Sequence, residues 1–151
     1  MRIVHIADVH WRGLSRHEEY RESFSAFIKQ ARDLDPDVIY IRGDIVHSKT
    51  QGISPELIDC LCWWFTELSK ICEVHVILGN HDGLLNNKDR QDAISPILSA
   101  LDNHRVHLYK ESGVYPTGVT GFNWCVFSCF DESGWKDVKP VEDEINIALY
   151  H

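Results

Sequence analysis

An α/β fold is predicted for this chain of 151 residues, and three observations predict it. Short β-rich runs alternate with longer stretches of helical period. The run Val38–Ile41 is continuously apolar, as a strand covered on both faces is. Compact polar clusters follow three of the predicted strands directly, where an open α/β sheet gathers its ligands. No repeat, low-complexity tract or Gly/Ser linker divides the chain, so residues 1–151 read as one domain.

Ile3–Ala7 is the first predicted strand. Ser15 with Glu18 fits a capping box, and the helix it opens carries Tyr20, Phe24, Phe27, Ile28 and Ala31 on one face. Asp35-Pro36 ends that helix. Val38–Ile41 is the second strand. Ser54-Pro55 supplies an N-cap and a first-turn proline for a helix whose buried stripe is Leu57, Leu61, Trp64 and Leu68. Val74–Leu78 is the third strand, and Ser95-Pro96 opens another turn of helix. Val106–Tyr109, Trp124–Phe130 and Ile145–Tyr150 read as further strands. The last stops at His151 with no turn or cap after it, which reads as a truncated pattern.

Composition bounds the function. Hydrophobic residues make up 44% and charged residues 25%, ordinary for a soluble globular protein. No apolar run approaches the roughly 20 residues of a membrane span. The start lacks the features of a signal peptide, which predicts a cytoplasmic protein with no membrane partner. The odd count of cysteines, Cys60, Cys62, Cys72, Cys125 and Cys129, with no C-x-x-C pair, predicts reduced thiols rather than a zinc site. The net charge of −8 argues against a broad basic nucleic-acid surface. It leaves room for a nuclease, because two divalent ions would offset half of it and attract substrate themselves.

The chemistry lies in the clusters. Asp8-Val9-His10 follows the first strand, Gly43-Asp44-Ile45-Val46-His47 the second, and Gly79-Asn80-His81-Asp82 the third. His151 ends the last. Carboxylate, imidazole and amide oxygen together favour a hard or borderline divalent ion. One carboxylate such as Asp44 can bridge two ions roughly 3.5–4 Å apart. Gly43 and Gly79 would let the backbone turn sharply and approach the ions.

These three motifs, in this order, resemble the calcineurin-like metallophosphoesterase superfamily. His5-Ile6-Ala7-Asp8-Val9-His10 and Gly43-Asp44-Ile45-Val46-His47-Ser48 are similar to the SbcD/Mre-type repair and recombination nucleases, including those of tailed phages. Asn146-Ile147-Ala148-Leu149-Tyr150-His151 is similar to that family's fourth motif. The resemblance implies an αββα layered sandwich of which this chain is the N-terminal part, a domain incomplete at its C-terminus. It implies that Asp8 and His10 hold one ion, Asp44 bridges, and Asn80 and His151 hold the second. His81 would sit beside the scissile phosphate, oriented by Asp82, and His47 near the substrate or the metal shell. The ions would be Mn²⁺, with Mg²⁺, Fe²⁺ or Zn²⁺ as alternatives, and a metal-activated water would attack phosphorus in line.

The activity implied is a DNA exo- or endonuclease subunit working with an SbcC/Rad-type ATPase in the cytoplasm or, if phage-encoded, the host cytoplasm, close to the nucleoid. A homodimer is compatible with it. The family's fifth motif, Gly-His-x-His, is absent from these residues, so the expectation is weak metal binding and weak cleavage by the fragment alone. Two other readings share the motifs. One is a small-substrate phosphatase or cyclic-nucleotide phosphodiesterase, the other a non-catalytic assembly module.

Blander roles compete at some positions. Trp11 follows the first motif in a loop and is a candidate for touching substrate, as are Lys88 and Arg90 for a phosphate backbone, though a solvated loop also explains the latter two. Trp63-Trp64-Phe65 reads as core packing before a base-stacking platform. His5, His75, His104 and His107 read as packing residues, and His17 as a solvent-exposed one.

Overall fold

The computed structural model describes residues 1–48 and 52–151. Four strands, β1 (Ile3–Ile6), β2 (Val38–Arg42), β3 (Glu73–Ile77) and β4 (Val106–Tyr109), pair in parallel in sequence order. Each parallel neighbour needs a crossover. These crossovers contain helices α1 (His17–Leu34), α2 (Pro55–Ser69) and α3 (Ser95–Leu101). Crossovers of one hand in a sheet of sequential order place every helix on one face. Accordingly Val4, Ile39, Ile41, Val74 and Val76 share one core with Ile28, Leu57, Leu61, Trp64, Leu68 and Ile97.

The other face carries a second sheet of β5 (Gly113–Pro116), β6 (Phe122–Phe127) and β7 (Ile145–Tyr150), with β6 antiparallel to β5 and parallel to β7. Val38, Tyr40 and Ile77 meet Trp124, Val126 and Leu149 between the sheets. The described residues therefore stack as helices, sheet, sheet. A short 3₁₀ turn, Glu132–Asp137, packs its Trp135 ring against Phe127 and Tyr150 of the second sheet.

Local chemistry accounts for most boundaries. Ser54 accepts from the Leu57 N–H at 3.1 Å, with Pro55 opening α2. The α2 stripe Leu57, Leu61, Trp64 and Leu68 is fully buried. The helix α1 closes with Asp35 in the left-handed region. Its start differs from expectation. Arg16 is itself left-handed (φ 65°, ψ 21°) and no side chain caps the helix, so Ser15 lies outside the cap and the Ser15–Glu18 box does not form. Arg16 pairs instead with Glu19. The strand expected to run from Trp124 to Phe130 begins and ends earlier, because Ser128 opens a turn closed by the Asp131 N–H. Strand β5 was not legible in the sequence at all. His17 is half-buried rather than exposed, its Nε2 held at 2.8 Å by the Arg12 carbonyl. The cysteines are unpaired.

Candidate metal centre

The site forms where β1, β2, β3 and β7 end. Beyond the strands, the loops after β1 and β2 stay zipped: Asp8 N–H donates to Gly43 O (3.3 Å), His10 N–H to Asp44 O (2.9 Å), Trp11 N–H to Ile45 O (2.8 Å) and His47 N–H to Trp11 O (2.8 Å). Within this short ladder Asp8, His10 and Asp44 all take left-handed backbone, with φ of 54°, 51° and 49°. Asp and His are among the few residues that visit that region with any frequency. Each turn sets its own ligand's direction in place of the two-residue period of a strand.

Asp44 is the centre. Its carboxylate is almost buried, at 4% exposure, and Oδ1 accepts the His81 N–H at 2.8 Å. His151 Nε2 stands 3.3 Å from Oδ1, while His10 Nε2 and His81 Nε2 stand 3.7 and 4.0 Å from Oδ2. Two groups of metal-ligating atoms result, His10–Asp44–His81 and Asp8–Asp44–His151, each with its atoms within 4.8 Å of one another. They share Asp44. Asn80 Oδ1 joins the second group at 3.2 Å from His151 Nε2.

These donors fit a divalent cation. His151 Nδ1 faces the Arg42 carbonyl at 2.6 Å. A carbonyl only accepts, so Nδ1 carries the hydrogen, and the neutral ring then presents its Nε2 lone pair. That lone pair, the Asp44 carboxylate and the Asn80 amide oxygen are three acceptors converging on one point, which a cation resolves. His81 repeats the arrangement, Nδ1 against the His47 carbonyl at 2.7 Å. Holding the far ring nitrogen in this way is how proteins aim metal-binding imidazoles.

The division of ligands departs from the sequence expectation. Asp8 and His10 fall in different groups, joined through Asp44, and each takes its own left-handed turn. Asp82 departs in role. It is completely buried, with Oδ1 accepting from Ile45 and Val46 N–H (2.8 and 3.0 Å) and Oδ2 from Gly79 N–H (2.8 Å). It ties the second and third motif loops together, and the His47 carbonyl, rather than Asp82, orients His81. Burial pushes the Asp82 carboxyl up to about 6, against the pull of its three N–H donors.

Trp11 is corrected more sharply. It has no exposure, and its indole stacks on Tyr20 and Phe24 at 4.6 and 5.1 Å, so it is core rather than a substrate contact. His47 is exposed, its ring 5.7 Å from that of His10 and 6.2 Å from that of His81. Lys88 and Arg90 are exposed in the turns after Asp82, outside the ligand groups. Sequence reasoning missed Arg42, whose guanidinium meets Asp8 Oδ2 at 3.0 Å. A lone cation ending an apolar strand was the available signal. It also missed Tyr20, whose hydroxyl donates to the His10 carbonyl at 2.8 Å.

Fold and candidate metal site together point to one family. The calcineurin-like phosphoesterase family matches residues 1–150, and the chain belongs to it. A relative is an uncharacterized protein, R555, of Acanthamoeba polyphaga mimivirus, 35% identical over 161 aligned positions. The match takes in 99% of this chain but only 12% of that protein's length. Among solved structures, the nuclease MPE of Pseudomonas putida has the same fold, with a TM-score of 0.51 at 21% identity over 97% of this chain and 60% of that one. Divalent metal is the family's cofactor. Among the described residues no helix is long and apolar enough to cross a membrane.

Proposed function

We propose that this chain is a DNA nuclease module of the SbcD/Mre type, cutting phosphodiester bonds with two divalent ions, Mn²⁺ foremost, and working with an SbcC/Rad-type ATPase. The observation that carries the reading is that one buried carboxylate, Asp44, is shared by two ligand groups. A bridging carboxylate is what two-metal phosphoryl chemistry requires. The His47-Ser48 ending of the second motif favours the nuclease branch. The Pseudomonas putida protein of this fold is a nuclease, so the scaffold accommodates such chemistry.

Asp8, His10, Asp44, Asn80 and His151 hold the ions in this reading. Bound metal would lower the pKa of water and neutralise charge on the phosphoryl oxygens. His81 keeps its Nδ1–H on the His47 carbonyl and turns Nε2 toward the centre, where, protonated at both nitrogens as the imidazolium, it can stabilise charge on the phosphoryl oxygens or hand its Nε2 proton to the leaving oxygen. The buried Asp82 keeps the loops at fixed separation.

The test pairs metal content with substrate choice. In Mn²⁺, turnover of linear duplex DNA should greatly exceed that of an aryl phosphate monoester. Asp44→Ala should lose bound metal by elemental analysis, while His81→Ala, which leaves Asp44 and the other ligands in place, should lose turnover by far more than it loses metal. Preference for the monoester would replace the nuclease reading with a phosphatase, and full metal content in Asp44→Ala would remove the shared-ligand argument.

A further inference from the structure

Beside the metal centre, the segments after β1 and β2 enclose a cavity of about 140 Å³ lined by Arg12, Gly13, Leu14, Ser15, His47 and Ser48. The chain carries a net charge of −8, yet the residues around this cavity include an arginine, a histidine and two serines, with no Asp or Glu. Such a lining suits an anion, and a guanidinium suits phosphate best. The volume falls well below the roughly 300–1,000 Å³ of pockets that swallow whole drug-sized ligands. It matches a phosphate with part of a sugar.

The cavity is held in shape by its surroundings. His17 Nε2 donates to the Arg12 carbonyl at 2.8 Å, and Ser54 Oγ donates to the Gly13 carbonyl. Trp11, just before, is fixed by its bridge to Val46 and by its burial. Rigid support of this kind sets a binding group in place before the ligand arrives. His47 belongs to both places, lining the cavity while its ring lies within 6.2 Å of His81 and 5.7 Å of His10. Leu14, 78% exposed, gives the rim an apolar surface for a sugar or base.

We infer that this cavity is a subsite for the phosphate next to the scissile one on a polynucleotide strand, with Arg12 as its anion-binding residue. The inference rests on the nuclease reading and narrows it. A substrate with only one phosphate cannot fill both places, so the subsite separates polynucleotides from small phosphoesters.

The experiment compares Arg12→Gln with the unaltered protein on oligothymidylate and on bis(p-nitrophenyl) phosphate, in Mn²⁺. Oligothymidylate binding is followed separately by fluorescence anisotropy in EDTA across a salt series. The loss of kcat/KM on the oligonucleotide should exceed that on the aryl diester by about tenfold or more. The salt slope of binding should fall by about one, and Arg12→Lys should recover part of both. Equal losses on both substrates, or unchanged binding and slope, would overturn the subsite. If the unaltered protein binds oligothymidylate through Arg12 but never cleaves it, the subsite stands and the nuclease reading falls. If cleavage is robust and indifferent to Arg12, the reverse holds.

Discussion

Gly79 lies against Asp44 so closely that a β-carbon at position 79 would stand 2.2 Å from Asp44 Oδ1 and 2.4 Å from its amide nitrogen. No side chain fits there without moving the shared carboxylate. Gly79→Ala should therefore weaken Mn²⁺ binding to both ligand groups by about tenfold or more, with a stability loss of about 1–3 kcal/mol from overpacking. Titration calorimetry and urea unfolding read the two effects. Undiminished affinity would mean that Asp44 is not the common ligand.

Asp82 takes three backbone N–H bonds while fully buried. In Asp82→Asn the amide's own NH₂ replaces one acceptor, leaving a buried N–H facing a donor. The expected cost is about 1–3 kcal/mol, seen as a lower urea midpoint. Were Asp82 chiefly an orienting partner of His81, turnover would drop with the midpoint unchanged.

Trp11, though next to a metal ligand, should behave as a core residue. Trp11→Ala should cost about 3–5 kcal/mol, and Trp11→Phe much less, with KM for DNA unaltered in the folded Phe variant. A raised KM at undiminished thermal stability would return this ring to the substrate.

The pH dependence of stability carries a signature of His75. It is 2% exposed between the sheets, with Nδ1 at 2.8 Å from the Tyr109 hydroxyl. Burial, and then the neighbouring His107, pull its pKa from 6.5 down to about 4. Between those values the unfolded chain binds a proton that the folded chain does not, so stability falls as pH falls from 6.5 toward 4, by about 3 kcal/mol at most. Asp82 has the opposite sign. Its folded pKa is raised from 3.8 to about 6, so the stability it gives is complete below 3.8 and lost as pH rises through about 6. The two partly offset each other, and a variant separates them. The stability advantage of the unaltered protein over His75→Phe in urea should shrink from pH 7 to pH 4.5, whereas a constant difference would refute the assignment.

Legibility in the sequence followed the range of the interactions. Strands β1 to β4 announced themselves because each is an apolar run bounded by a loop, and α2 because Ser54, Pro55 and its stripe agree. Strand β5 was hidden, since Gly113–Pro116 is only four residues long with a proline at its end and owes its pairing to β6. The ligand residues were readable because each follows a strand. Their partition around Asp44 was not, because it depends on backbone turns at Asp8 and His10 that no periodicity encodes. Asp82 and Trp11 were misjudged for one shared reason. Proximity to a ligand in sequence says nothing about which way a side chain faces, and both face inward.

The left-handed trio Asp8, His10 and Asp44 sets heat tolerance and chemistry against each other. Each holds a conformation costing an L-residue roughly 1–2 kcal/mol, which glycine would relieve. At Asp44 the side chain also satisfies the His81 N–H, so directed evolution toward thermal resistance alone would drift to glycine at Asp8 and His10, and the hardier proteins it returned would be the ones least able to keep their ions.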